Sequence, residues 1–159
     1  MWGGTGDLYG NTVAGIWRTP HFVMLPYLAQ DGRNKVCYAL GQPKERQPNA
    51  KLRGTTALIF ISTRPADGVR NEVAINLGYG TKNSSAATAE IDGEGWELIT
   101  KGTNAWVKGQ SKEEEFVRAL QGGAKLVVKA STLEGTATSD VYSLKGLSDA
   151  LARVAQGCK

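Results

Sequence analysis

The chain has 159 residues, of which 41% are hydrophobic and 21% charged, with a formal charge of +4. That length suits one domain burying about two thirds of the surface its unfolded chain exposes, and the longest apolar run falls short of the about 20 residues that cross a bilayer, which excludes a membrane-spanning helix. Twenty glycines point to many tight turns, as in an all-β protein, and the single histidine, His21, excludes a multi-histidine metal site.

The positive charge is concentrated. Residues 31–70 hold eight Lys or Arg against three Asp or Glu, whereas residues 71–159 hold ten against eleven. A basic segment attracts an anionic partner such as a lipid headgroup, a polysaccharide or a nucleic acid, or it is a loop kept soluble by its charge.

In chain order, Met1–Asn11 is glycine-rich with Trp2 and Tyr9, and residues 1–12 read as a flexible arm ahead of a single domain over 13–159. Val13–Arg18 and His21–Ala29 are apolar runs interrupted by Pro20 and Pro26, which confines either to an edge or bulged strand. Asp31-Gly32-Arg33-Asn34 turns into a strand over Lys35–Gln42, with Val36, Tyr38 and Leu40 on one face and Cys37 and Ala39 on the other. Pro43–Arg53 is polar, basic and contains Pro48, so it reads as an exposed, mobile loop.

The clearest hairpin follows. Thr55–Thr63 is β-branched and apolar, Pro65-Ala66-Asp67-Gly68 is a turn signal, and Asn71–Tyr79 alternates with Val73, Ile75 and Leu77 on one side. After a polar turn at Thr81–Ser85, short strands are expected at Ala86–Ile91, Trp96–Thr100 and Ala105–Lys108, with turns at Asp92-Gly93-Glu94-Gly95 and Lys101-Gly102. Ser111-Lys112-Glu113-Glu114 has capping-box spacing, so a helix is expected from Ser111 to Gly122-Gly123. Two strands, Lys125–Ser131 and Thr136–Leu144, then flank a turn at Leu133-Glu134-Gly135. A last helix follows Gly146, where Leu147, Ala150, Leu151 and Val154 share one face, and it ends at Gly157. The set predicts a mainly β protein, an antiparallel β-sandwich of immunoglobulin-like architecture with two short α-helices.

Catalytic signals are weak. No serine lies in a G-x-S-x-G or S-x-x-K arrangement, and Cys37 has only His21 as an activating base. Asp92-Gly93-Glu94-Gly95 resembles the start of a calcium loop, but its twelfth position is Thr103 rather than Glu. Glu72, Asp92, Glu97 and Asp140 are the carboxylates from which a glycosidase pair would come. Trp17, Trp96 and Trp106 with Tyr38, Tyr79 and Tyr142 form either a stacking platform for sugar or nucleic acid or simply core. No cofactor or metal site is expected. The two cysteines, Cys37 and Cys158, are either one bridge in an exported protein or two separate thiols in a cytosolic one. The chain opens without a signal-peptide pattern, which fits a cytosolic protein or a sequence numbered from its mature form.

Lys35-Val36-Cys37-Tyr38-Ala39-Leu40 followed by Gln42-Pro43-Lys44 resembles the invasion-associated locus B family of bacterial cell-envelope proteins. The likeness continues through Ile61-Ser62-Thr63-Arg64-Pro65, Asn71-Glu72-Val73, Gly78-Tyr79, Ala105-Trp106, Gly135-Thr136, Asp140, Tyr142-Ser143-Leu144, Gly146-Leu147, Ala150-Leu151 and Cys158, in that order. The resemblance implies an exported β-sandwich protein of the periplasm or outer surface, an oxidised Cys37–Cys158 pair, and an association with host-cell invasion, the biochemical activity being undefined.

The favoured expectation is a non-enzymatic envelope or secreted binding protein. Its basic surface, Lys44, Arg46, Lys51, Arg53, Arg64 and Arg70, would contact a protein or an anionic envelope or host-surface partner. The alternatives are an envelope hydrolase using carboxylates such as Glu72 and Asp140, and a cytosolic nucleic-acid-binding module, which is the less expected partner class.

Overall fold

The structure is a computed structural model and describes residues 17–18, 22–28, 35–82 and 86–158. The elements in chain order are β1 (Trp17–Arg18), β2 (Phe22–Leu28), β3 (Lys35–Gly41), β4 (Glu45–Gln47), α1 (Asn49–Leu52), β5 (Leu58–Arg64), β6 (Val69–Asn76), β7 (Ala87–Ile91), β8 (Glu94–Lys101), β9 (Asn104–Val107), α2 (Gln110–Gly122), β10 (Lys125–Ser131), β11 (Ala137–Ser143) and α3 (Leu147–Gly157). The mainly β, antiparallel class predicted from the sequence holds, with a third, four-residue helix, α1, besides the two expected. The arm over residues 1–12, His21, the Asp31–Asn34 turn and residues 83–85 of the polar turn lie outside the described residues.

The chain divides into two compact units, the first formed by residues 1–41, 60–72 and 145–159 and the second by 42–59 and 73–144. Strands β5 and β6 therefore contribute to both, the outer half of the hairpin going with the first unit and its base with the second.

In the first unit the strand order is β1-β2-β3-β5-β6. The β2–β3 ladder runs without a bulge from Phe22 opposite Gly41 to Leu28 opposite Lys35. Pro26, which donates no hydrogen bond, lies opposite Cys37 in this ladder, and the described residues of β1 pair with Val23 and Met24. Gly41 is required at its position, since a Cβ there would lie 2.6 Å from the Phe22 ring.

Helix α3 packs on β2 and β3 with the predicted stripe, Leu147, Ala150, Leu151 and Val154, all buried. Burial of each larger side chain contributes roughly 1.5–3 kcal/mol. Beneath it Cys37 and Cys158 are joined in a disulfide with Cα atoms 6.1 Å apart. At the hairpin tip Pro65–Asp67 form a single 3-10 turn closed by Gly68 at φ +70°, and Arg64 pairs with Asp67 at 3.6 Å and with Glu72 at 2.9 Å.

In the second unit the order is β6-β9-β8-β7-β10-β11-β4, with antiparallel pairing at each step. The buried face carries Val73, Ile75, Ala89, Ile91, Trp96, Leu98, Ala105, Leu126 and Val128, the alternation that the sequence shows. Helix α2 seals it with Phe116, Val117 and Leu120, and Phe116 meets Trp96 edge-on at 5.3 Å.

The expected capping box does not form. Gly109, at φ +91°, turns the chain into the helix before Ser111, so Ser111 lies inside the first turn and the N-cap is Gly109, with no side-chain cap. Glu113 instead accepts a hydrogen bond from the Val73 N–H at 3.0 Å, fixing α2 to β6. At the other end α2 stops at Gly122 as expected, and Gly123 is pressed so closely on β7 that a Cβ would come within 2.6 Å of Ile91.

The expected loop over Pro43–Arg53 is the largest departure. It contains β4, which pairs with β11 through Glu45–Val141, Arg46–Asp140 and Gln47–Ser139, and then α1, whose Leu52 is buried. A three-residue strand whose partner lies so far along the chain carries no local pattern to announce it.

Candidate functional site

This segment carries exposed cations. Lys44, Lys51 and Arg53 are exposed, as are the amides of Gln42, Gln47 and Asn49. None of the three cations has an ion-pair partner among the described residues. Leu52, between Lys51 and Arg53, points the other way and is 3% exposed.

Arg46 leaves this group. Its side chain is 13% exposed and turns inward, where Nε donates to Asp140 Oδ1 at 2.7 Å and Nη2 reaches Asp140 Oδ2 at 3.3 Å. Nη2 also donates to the Leu77 carbonyl at 2.8 Å, and Nη1 to Thr55 Oγ1 at 2.6 Å. The Thr55 hydroxyl in turn donates to the Leu52 carbonyl at 2.7 Å, and the Thr55 N–H donates to the same carbonyl at 3.0 Å. One guanidinium thus joins β11, the chain leaving β6, and the turn after α1.

Asp140 sits on the buried face of β11 with Thr138 and Tyr142. Burial pushes its carboxyl above the ordinary aspartate value, against the opposing pull of Arg46. Tyr79 shares a hydrogen bond with Thr138, and its ring centre lies 6.0 Å from the Arg46 guanidinium carbon. Burial raises the Tyr79 and Tyr142 hydroxyls too. Tyr142 Oη has no hydrogen-bond partner among the described residues. Four hydrogen bonds engage Nε, Nη1 and Nη2 of Arg46 with acceptors of the protein itself, so this cluster is a brace.

A family model described as "Invasion associated locus B (IalB) protein" matches residues 28–155. The chain belongs to the IalB family. Comparison with curated proteins and with solved structures finds no match. The matched IalB span includes Cys37 and the whole Arg46 brace and ends before Cys158, which the structure nevertheless joins to Cys37.

The remaining predicted cations of this IalB protein fall in the first unit. Arg64 is committed to Asp67 and Glu72, whereas Arg70 is exposed. Of the six basic residues read from the sequence, Arg46 is turned inward, Arg64 is paired, and Lys44, Lys51, Arg53 and Arg70 are exposed.

Three of the four carboxylates considered for hydrolysis are likewise engaged. Glu72 pairs with Arg64 in the first unit and Asp140 with Arg46 in the second. Asp92, at φ +49° in the β7–β8 turn, accepts from the Ala124 N–H at 3.0 Å, so the resemblance to a calcium loop reduces to a hairpin turn. Among the described residues no group of three or more His, Cys, Asp or Glu is placed to hold a metal ion.

Glu97 lies in a half-open cleft of about 480 Å³ with Glu94, Glu115, Lys108 and Lys112 over Trp96. Lys112 and Glu115 pair at 3.6 Å, and Trp96 is only 7% exposed, leaving no ring face for stacking. Trp96 and Tyr142 are core, so the six aromatics do not make the platform that the sequence allowed; the Trp17 side chain lies outside the described residues.

Proposed function

We propose that this IalB protein is a non-enzymatic, exported binding protein of the cell envelope, which attaches to an envelope or host-cell partner through Lys44, Lys51 and Arg53. The observation that carries the reading is the contrast within one short segment. Arg46 is neutralised inside, while its three cationic neighbours are left exposed. Family membership and the Cys37–Cys158 disulfide support a location outside the cytoplasm, in the periplasm or at the outer surface, since such bonds persist in oxidising compartments. Among the described residues no helix is long and apolar enough to cross a membrane. The engagement of Glu72 and Asp140 by arginines supports binding over hydrolysis.

The test is attachment of the purified protein to envelope fractions and to host cells, comparing it with the variant Lys44→Glu/Lys51→Glu/Arg53→Glu. Arg46 is kept because its loss would disturb the fold. Reduced attachment with an unchanged unfolding midpoint is expected; undiminished attachment rejects this surface.

A further inference from the structure

Resting on that reading, we propose that residues 42–54 form a preorganised site for an anionic polysaccharide. The segment reads QPKERQPNAKLRG, in which Glu45 is the sole acid against Lys44, Lys51, Arg53 and the internally neutralised Arg46. Besides the exposed Glu45, its exposed polar groups are of two kinds. Lys44, Lys51 and Arg53 supply charge for carboxylate or sulfate groups, and the amides of Gln42, Gln47 and Asn49 supply both donors and acceptors, the pairing that sugar hydroxyls require.

What the segment keeps inside narrows the partner further. Leu52, its one large apolar side chain, is buried, so no wedge is offered to the acyl region of a bilayer. It holds no aromatic residue, so it lacks the stacking faces by which single-stranded nucleic acids are held. A polymer bearing alternating charge and hydroxyl groups uses both kinds of exposed side chain, whereas a lipid surface uses the cations alone.

The backbone beneath is fixed before the ligand arrives. The β4–β11 ladder, the Arg46 bonds to Asp140, Leu77 and Thr55, and the two bonds from Thr55 to the Leu52 carbonyl hold the strand, helix and turn that carry these side chains. Little chain entropy is then lost on binding. Each exposed charge contact is individually weak, so attachment grows with the number of repeats that a polymer presents.

The test titrates the full chain with polygalacturonate and dextran sulfate, beside neutral dextran, vesicles of mixed phosphatidylglycerol and phosphatidylcholine, and duplex DNA, at physiological ionic strength. Binding to the two anionic polysaccharides but not to neutral dextran, weakened roughly tenfold in Lys44→Glu/Lys51→Glu/Arg53→Glu, is the expected result. Equal affinity of that variant and the parent overturns the proposal, as does preference for vesicles or DNA, or no polysaccharide binding at all. Where the parent binds no polysaccharide yet the variant has lost cell attachment, this inference falls and the binding-protein reading stands. Where the variant's attachment is also unchanged, both fall.

Discussion

The Arg46 guanidinium meets the Asp140 carboxylate at 2.7 Å across 94 residues of chain, and the carboxylate side chain is 1% exposed. A buried pair of this kind has a lopsided energy. Both charges lost water on folding, so the intact pair contributes little net stability, but removing one partner strands the other. Arg46→Met, which strands the buried carboxylate, should destabilise the protein by about 3–5 kcal/mol. Arg46→Met combined with Asp140→Leu should recover most of that loss. Urea unfolding of Arg46→Met, of Asp140→Leu and of the double gives the coupling; a double variant no more stable than Arg46→Met would contradict the stranded-charge account.

The same carboxyl sets a pH dependence of unusual sign. Most ion-paired carboxylates have a folded value below the unfolded one, and their stability is lost on acidification. Asp140 is shifted upwards, because burial outweighs Arg46. In the window between the ordinary aspartate value of about 3.9 and its raised value in the fold, the folded state therefore binds the proton more tightly. The contribution of Asp140 is full below that window and is lost as pH rises through the folded value. The stability gap between the parent and Asp140→Asn should widen from neutral pH to about pH 4, at the foot of that window. Unfolding midpoints of both proteins across that range decide it, and a narrowing gap would mean that Arg46 dominates.

What was legible in the sequence was the short-range pattern. Cys37 and Ala39 alternate inward on β3, Val73 and Ile75 do so on β6, and the α3 stripe repeats with helical period. Each follows from local periodicity set against one buried face. What depended on distant chain was missed. The residues of β4 form a strand only because β11 lies beside them, and Arg46 is drawn inside only because Asp140 waits there. One signal was present: Asp140 falls between Thr138 and Tyr142 on the inward face of a strand, a position where a carboxylate demands a partner. Ser111 illustrates the opposite error. A capping motif was in place, but Gly109 took the cap because its positive φ redirects the chain out of β9 two residues sooner.

The Cys37–Cys158 bridge closes a loop with a sequence separation of 121 and fastens the last residues of α3 to β3. Its effect acts chiefly on the unfolded chain, whose freedom it restricts. The variant Cys37→Ser/Cys158→Ser should lose about 2–4 kcal/mol, while the α3 stripe keeps the helix docked in the folded state. Thermal unfolding of the variant and of the parent, with and without reductant, checks this. Reductant should lower the parent towards the variant and leave the variant unmoved.

Gly78 separates two costs that glycine positions usually confound. It has φ +80°, donates its N–H to Asn76 Oδ1 at 2.8 Å, and has the Thr56 carbonyl oxygen 2.5 Å from where a Cβ would stand. Gly54 has nearly the same dihedral, φ +83°, with open space at its Cβ position. Gly54→Ala should therefore cost only the left-handed conformation, about 1–2 kcal/mol. Gly78→Ala adds a backbone collision that no rotamer relieves. Because the Leu77 carbonyl beside it receives Arg46 Nη2, relief by backbone movement would loosen the brace as well. The second variant should be the less stable by at least about 1 kcal/mol, and equal unfolding midpoints would show that the Thr56 backbone gives way without cost.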